Sequence, residues 1–169
     1  MALLSSPDVY GFTLFCDDIR QEVDGKLTYI GVYSADMVVH VPFPVTLPKF
    51  AFGITFLQHK RIFDPNIGLR IFLPGDLPNE ASIQGNLSEK AEGSIGAGLD
   101  AQERLRHPSV RRDPEDEQVV VLHANAILGG LIIKEPGKIR VRAVRGEDMI
   151  RLGSLRISPA LPFAPTNPT

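Results

Sequence analysis

The sequence predicts an all-β protein, an antiparallel β-sandwich of about seven to nine strands with one long surface loop, and a barrel is the lesser option. Short runs of strand-forming residues are separated by turn signals such as Asp24-Gly25 and Pro74-Gly75. Between positions 50 and 57, large apolar residues occupy every second position, which is the period of a strand with one buried face. The sequence does not alternate strands with helical segments, as a parallel sheet requires.

The length of 169 residues fits one domain over residues 1–157, followed by a proline-rich tail at 158–169. A chain near this size buries about 68–70% of its unfolded surface, which suffices for a core without disulfides or structural metal. Nine Phe and no Trp make phenylalanine the main aromatic residue of that core. The 18 basic and 20 acidic residues nearly cancel, so no global field favours nucleic acid or an anionic membrane as a partner.

The first strands are predicted at residues 9–16 and 26–33. Asp24-Gly25 precedes the second strand, and both residue types reach the positive φ that a two-residue type I′ hairpin turn requires. Residues 37–41 form the next apolar run. Three prolines follow within the next seven residues, and because proline cannot donate to a sheet ladder, we expect the strand to end there.

The clearest alternation in the chain predicts a central core strand over residues 50–57. Its inward residues are Phe50, Phe52, Ile54 and Phe56. Further strands are predicted at 67–73 and, shorter, at 80–87.

Residues 88–117 contain few large apolar residues, several glycines and charges of both signs, which predicts a long surface loop. Loops of this length in compact domains are usually functional or disordered. The basic residues of this loop are candidates for binding a partner, although acidic residues at 113–117 follow directly and offset their charge. These candidates are Arg104, Arg106, Arg111 and Arg112.

In the last part of the chain, strands are predicted at 119–128, 131–133, 138–143 and 149–157. Within 138–143 the aliphatic residues Ile139, Val141 and Ala143 are predicted to face the core. Arg140 and Arg142 are predicted to face water. If the last two strands pair, several arginines line one outer sheet face, namely Arg140, Arg142, Arg145, Arg151 and Arg156.

The tail at 158–169 has four prolines in twelve residues and is expected to be extended and loosely held. Phe163 in this tail is a candidate for contact with a partner or with a neighbouring subunit.

An acidic group lies beside the end of the first strand. Clustered carboxylates can hold calcium, so Asp17, Asp18 and Glu22 are candidate metal ligands. Alternatively, the two aspartates close the strand by accepting bonds from nearby backbone amides. A zinc site would need two or three histidines to converge with a carboxylate. The four histidines are scattered along the chain at His40, His59, His107 and His123.

Other catalytic signals are missing from the sequence. It has no G-x-S-x-G turn and no Gly-Lys-[Ser/Thr] phosphate loop, so no cofactor is predicted. The single cysteine, Cys16, excludes an internal disulfide and is predicted to be a buried hydrophobe. The first residues lack signal-peptide features, and no stretch approaches the roughly 20 apolar residues that span a bilayer, so we expect a cytoplasmic protein.

Two parts of the chain carry a family resemblance. Phe15-Cys-Asp-Asp18 followed by the hairpin that ends in Ile30-Gly31, together with the late run Glu135-Pro-Gly-Lys-Ile-Arg-Val141, resembles a family of small bacterial domains of unknown function. The similarity covers roughly residues 9–60 and 119–157 and rests on structural turns. It implies a compact β-sandwich with no assigned activity, and it transfers no catalytic residue.

These observations favour a non-enzymatic module that binds a protein partner, because no acid–base, metal or phosphate constellation is visible. An alternative is a structural subunit of a larger assembly, such as a phage-like particle or a homo-oligomer, that exchanges its proline-rich tail with a neighbour. A second alternative is a metal-dependent hydrolase or lyase, in which histidines would have to meet Asp17, Asp18 or Glu22.

Overall fold

The computed structural model describes residues 8–87 and 119–160, and in these residues the chain is all-β, as predicted. A single 3₁₀ turn at Lys60–Ile62 is the only helical element among them. The strands are β1 (Val9–Cys16), β2 (Asp18–Gln21), β3 (Leu27–Ile30), β4 (Asp36–Val39), β5 (Val45–His59), β6 (Gly68–Phe72), β7 (Ile83–Asn86), β8 (Val119–Ile133), β9 (Gly137–Arg145) and β10 (Asp148–Pro159).

The strands form three sheets. The largest has the order β4-β10-β9-β6-β7, a second has the order β1-β5-β8, and β2 pairs with β3 alone. All pairs are antiparallel except β4 with β10, which is parallel, so the prediction of a wholly antiparallel protein is wrong for that pair. A tight turn can join only antiparallel neighbours, whereas β4 and β10 lie far apart in the sequence and meet through the rest of the fold.

The two larger sheets share one hydrophobic core. The inward face of β5 was predicted correctly, since Phe50, Phe52, Ile54 and Phe56 are all at most 1% exposed. They belong to the same buried cluster as residues of the five-stranded sheet, among them Ile139, Val141 and Leu155. The core therefore lies between these sheets, as in a sandwich.

The β2–β3 hairpin covers part of the outer face of the three-stranded sheet. Cys16 and Ala51 are completely buried beneath it in a second, smaller cluster with Ile19. Cys16 is thus the buried hydrophobe that was expected, and burial raises the pKa of its thiol to about 11. The Tyr29 ring lies directly against the backbone at Gly53, where an added Cβ would come within 2.5 Å of Tyr29 Cε1.

The turn of this hairpin differs from the predicted type I′ turn. The Gly25 amide donates to the Glu22 carbonyl over 2.9 Å, and the Glu22 amide donates to the Lys26 carbonyl over 2.8 Å. The loop therefore has three residues, with a turn centred on Val23 and Asp24 and a left-handed Gly25 (φ 79°) after it. Three-residue hairpin loops use this combination, in which only the glycine needs a positive φ.

A buried glutamine holds the segment that follows β5. Gln58 is completely buried. Its Nε2 donates to the Asp64 carbonyl over 2.8 Å, and its Oε1 accepts from the Asp64 amide over 3.1 Å. Nearby, an Arg145 guanidinium nitrogen donates to the Ile62 carbonyl over 2.6 Å. These bonds fix the 3₁₀ turn against the end of the core.

Candidate functional surfaces

The predicted acidic group does not converge on a common point. Asp18 forms ion pairs with Lys49 and, at 3.6 Å, with Arg20. The hydrogen bond from Lys49 lowers the pKa of the Asp18 carboxyl below its ordinary value. The Asp17 carboxylate instead accepts a hydrogen bond from the Tyr33 hydroxyl. Burial and this bond raise the pKa of Tyr33.

Glu22, the third predicted metal ligand, accepts a hydrogen bond from Thr28 Oγ1 over 2.7 Å. In the described residues, no group of three or more His, Cys, Asp or Glu side chains is placed to hold a metal ion. Calcium binding by Asp17, Asp18 and Glu22 therefore stays a prediction of the sequence.

The histidines take part in local contacts. His123 Nδ1 lies 3.1 Å from Thr55 Oγ1, across the pairing of β8 with β5. His59 Nδ1 accepts from the Arg61 amide over 3.1 Å, next to the 3₁₀ turn.

Residues 8–87 and 119–160 contain no helix long and apolar enough to cross a membrane.

Several predicted partner-binding residues lie outside the described residues. The predicted loop at 88–117 and the tail beyond position 160 also lie outside the described residues. Their roles stay predictions. The residues concerned are Arg104, Arg106, Arg111, Arg112 and Phe163.

An exposed apolar surface lies on the outer face of the three-stranded sheet, beside the hairpin. On β1, Tyr10, Phe12 and Leu14 are 40%, 48% and 37% exposed. In the register, Tyr10 lies opposite Leu57 of β5, and Leu57 lies opposite Val121 of β8. We call this surface the apolar face, and its members are Tyr10, Phe12, Leu14, Leu57, Val119 and Val121.

The apolar face exists because the hairpin covers only one half of the sheet. Tyr29 packs on Gly53 and its hydroxyl donates to Asn125 Oδ1 over 3.2 Å, which marks the limit of the covered half. Beyond Gly53 the outer side chains of β1 have no described segment above them. In this half Phe12 lies opposite Thr55, and Thr55 lies opposite His123, so these two residues contribute polar groups beside the exposed apolar ones.

A row of arginines crosses the outer face of the five-stranded sheet. Arg142 of β9 lies opposite Arg70 of β6 on one side and opposite Arg151 of β10 on the other. The Cβ atoms of directly opposite residues are about 5 Å apart. The prediction that arginines of the last two strands line one outer face is therefore confirmed for Arg142 and Arg151. It is wrong for Arg145, which lies on the same side of β9 as the buried Ala143 and donates to the Ile62 carbonyl. Arg70, from a third strand, was not foreseen. We call Arg70, Arg142 and Arg151 the arginine row.

Arg142, at the centre of the row, is half-buried and does not simply face water as predicted. One of its guanidinium nitrogens donates to the Val141 carbonyl over 2.8 Å and to the Gly153 carbonyl over 3.3 Å. Burial, together with the charges of Arg151 and Arg140, lowers the pKa of the Arg142 guanidinium. The charges of Arg151 and Arg140 therefore act on Arg142.

Neighbouring charges in the described residues do not neutralise the row. Within the described part of the chain, no carboxylate lies within 4 Å of the guanidinium groups of Arg70, Arg142 or Arg151. Farther along the same face, Arg156 pairs with Asp36 at 3.6 Å. Within residues 8–87 and 119–160 the row therefore has no carboxylate partner, whereas Arg156 has one.

Arg140 lies next to the arginine row and is held in place by two contacts. Its guanidinium carbon lies 4.9 Å from the centre of the Phe72 ring, which is 2% exposed. A guanidinium nitrogen also donates to the Asp76 carbonyl over 3.2 Å. Arg140 thus covers the one aromatic ring that the neighbouring strand places on this side of the sheet.

No family model, curated protein or solved structure matches this chain. The resemblance to a bacterial family of unknown function therefore stays a prediction.

Proposed function

We propose that this protein is a non-enzymatic interaction module that binds a partner protein through the apolar face. The observation that supports the proposal is the exposure of Tyr10, Phe12 and Leu14 side by side on one half of a sheet, above which no described segment lies. Contiguous exposed apolar surface on a folded domain marks an interaction site, whereas isolated exposed residues do not. Aromatic residues are also enriched in the centres of protein interfaces.

The chemistry of the apolar face fits a protein better than a small polar ligand. Its residues offer area and shape and only few hydrogen-bonding groups, and they lie on a sheet surface rather than in a cavity. Burial of large apolar side chains contributes most of the affinity in protein interfaces, usually through a few residues near the centre. Phe12 lies between Tyr10 and Leu14 on β1 and is the expected centre.

Site-specific photo-crosslinking tests the proposal. A photoreactive phenylalanine analogue is placed at position 12 in the full chain and, as a control, at position 38. Val38 is 52% exposed on β4 of the other sheet. We expect a discrete product with a second protein from position 12 and none from position 38, after which the second protein is identified and purified.

The affinity between this protein and the purified second protein is then measured for wild type and variants. We expect Phe12→Thr to weaken binding at least about tenfold and Val38→Thr to leave it unchanged. Equal affinity of wild type and Phe12→Thr would contradict the proposal, as would the absence of any product at position 12. Products formed only between two copies of this chain would favour the alternative of a subunit in a homo-oligomeric assembly.

A further inference from the structure

We infer that the arginine row is a binding site for an acidic segment of a protein, one that presents two or three carboxylates within a few residues. The site lies on the five-stranded sheet and is independent of the apolar face. The inference rests on the register that aligns Arg70, Arg142 and Arg151 and on the lack of described carboxylates near them.

The row is unfavourable for the isolated fold. Like charges that lie directly opposite each other on neighbouring strands destabilise a sheet. Here one arginine has such a neighbour on both sides, because β9 lies between β6 and β10. Two backbone carbonyls accept bonds from Arg142, which offsets part of the repulsion without neutralising any charge. An anion bound over the row removes this repulsion and gains charge-assisted hydrogen bonds.

The side chains are arranged to receive carboxylates. Arginine presents a planar set of donors that matches a carboxylate in a two-bond geometry. The bonds of Arg142 to Val141 and Gly153 already restrict its guanidinium, so less side-chain freedom is lost on binding. Neighbouring strands are about 4.8 Å apart, so the row spans about 10 Å. Alternate residues of an extended peptide are about 7 Å apart, so two acidic side chains reach two arginines.

The surroundings favour a protein segment over nucleic acid. Binding of single strands without sequence preference uses exposed aromatic rings on which bases stack. On this face Phe72 is buried beneath Arg140, and the exposed apolar neighbour of the row is Met149, at 45% exposure. One end of the basic surface is already partly neutralised, because Arg156 pairs with Asp36, and the whole chain carries a net charge of −2. A compact positive row beside a methionine suits an acidic segment that contains an apolar residue.

Fluorescence anisotropy with two labelled peptides of equal length tests the inference on the full chain. One peptide contains three glutamates at alternate positions, and the other has glutamines in their place. We expect the glutamate peptide to bind at least about tenfold more tightly at low salt, and its affinity to fall as added salt screens the charges. Equal binding of both peptides would overturn the inference.

Matched variants locate the site. Arg151 is exposed, so Arg151→Gln should leave the fold intact, and we expect it to weaken binding of the glutamate peptide at least about fivefold. Arg61→Gln removes another exposed arginine, which lies in the 3₁₀ turn, and should leave binding unchanged. An Arg151→Gln variant that binds like wild type would overturn the assignment.

Thermal unfolding and a competing ligand complete the test. Because Arg151→Gln removes one of three adjacent like charges, we expect its melting temperature to be equal to that of wild type or higher. A lower melting temperature would contradict the repulsion on which the inference rests. A single-stranded oligonucleotide with the same number of charges that binds more tightly than the glutamate peptide would overturn the assignment to an acidic protein segment.

Discussion

Among single residues, a buried polar side chain supplies hydrogen-bond partners to backbone groups that would otherwise lack them. Gln58 is the one polar residue that is buried in the described part of the chain. Buried backbone groups need hydrogen-bond partners, and its amide supplies both partners for Asp64. Where β5 ends, the side chain thus supplies hydrogen bonds that a neighbouring strand would otherwise provide. The pattern of apolar residues in the sequence does not indicate this role.

Replacement of this glutamine should destabilise the fold. We expect Gln58→Leu to lower the free energy of unfolding by roughly 2–4 kcal/mol, because the Asp64 amide and carbonyl lose their partners inside the protein. Gln21→Leu, at an exposed position of β2, is the matched control and should change stability by less than about 0.5 kcal/mol. Urea unfolding measures both variants, and a loss below about 1 kcal/mol for Gln58→Leu would refute this role.

A carboxylate in the loop between β6 and β7 should make stability depend on pH. Asp76 accepts bonds from the Leu73 amide over 2.8 Å and from the Ser82 amide over 2.9 Å. Although burial raises the pKa of Asp76, these bonds, the Ser82 hydroxyl and the charge of Arg140 together lower it below its ordinary value. Because the pKa is lower in the folded state, the carboxylate stabilises the fold above the unfolded pKa of about 4. That stability is lost as the pH falls through the folded pKa.

We therefore expect Asp76→Asn to lower the melting temperature at pH 7, and the difference from wild type to shrink as the pH falls below about 4. Thermal unfolding across the acidic range measures this. Asp36→Asn, which removes an exposed ion pair with Arg156, is the control at pH 7 and should have a small effect. A difference between Asp76→Asn and wild type that is the same at every pH would argue against a charged role for Asp76.

At the level of elements, two long strands continue through residues that usually end strands. Pro48 lies inside β5, although proline cannot donate to a ladder. β1 pairs with β5 only from Ala51 onward, so at Pro48 β5 has only β8 as a neighbour. In the register between β5 and β8, Pro48 has no paired residue. β8 likewise runs through Gly129, because the equally long β5 continues beside it. Partner strands thus override local breakers.

The β2–β3 hairpin should depend on the absence of a side chain at Gly53. A Cβ there would overlap the Tyr29 ring, so we expect Gly53→Ala to destabilise the protein by about 1–3 kcal/mol. Gly85→Ala, where an added Cβ meets nothing within 4 Å, is the matched control and should be close to neutral. Chemical unfolding measures both.

A double-mutant cycle separates this clash from a backbone effect. In a Tyr29→Leu background, the cost of Gly53→Ala should fall by at least about 0.5 kcal/mol, because the ring that it meets is gone. An unchanged cost in that background would show that the hairpin does not press on Gly53.

At the level of the whole molecule, the two candidate surfaces arise from strand pairing. The arginine row requires β6, β9 and β10 side by side, and Arg70 is far from the other two in the sequence. The outward positions of Arg140 and Arg142 were predictable from alternation. Their half-buried state was not, because it depends on Phe72 and on the Gly153 carbonyl in neighbouring strands. The apolar face likewise depends on which half of a sheet the hairpin covers.

The period of two along the chain by itself determined the all-β class, the positions of most strands and the inward face of β5, since burial of alternate side chains is a local property of a strand. Only the tertiary structure decided the parallel pairing of β4 with β10, the covered half of the three-stranded sheet and the three aligned arginines. Hydrogen bonds between strands join residues that are distant in the sequence. The choice of partner, and with it every cluster of side chains across strands, is therefore settled by the packing of the whole fold.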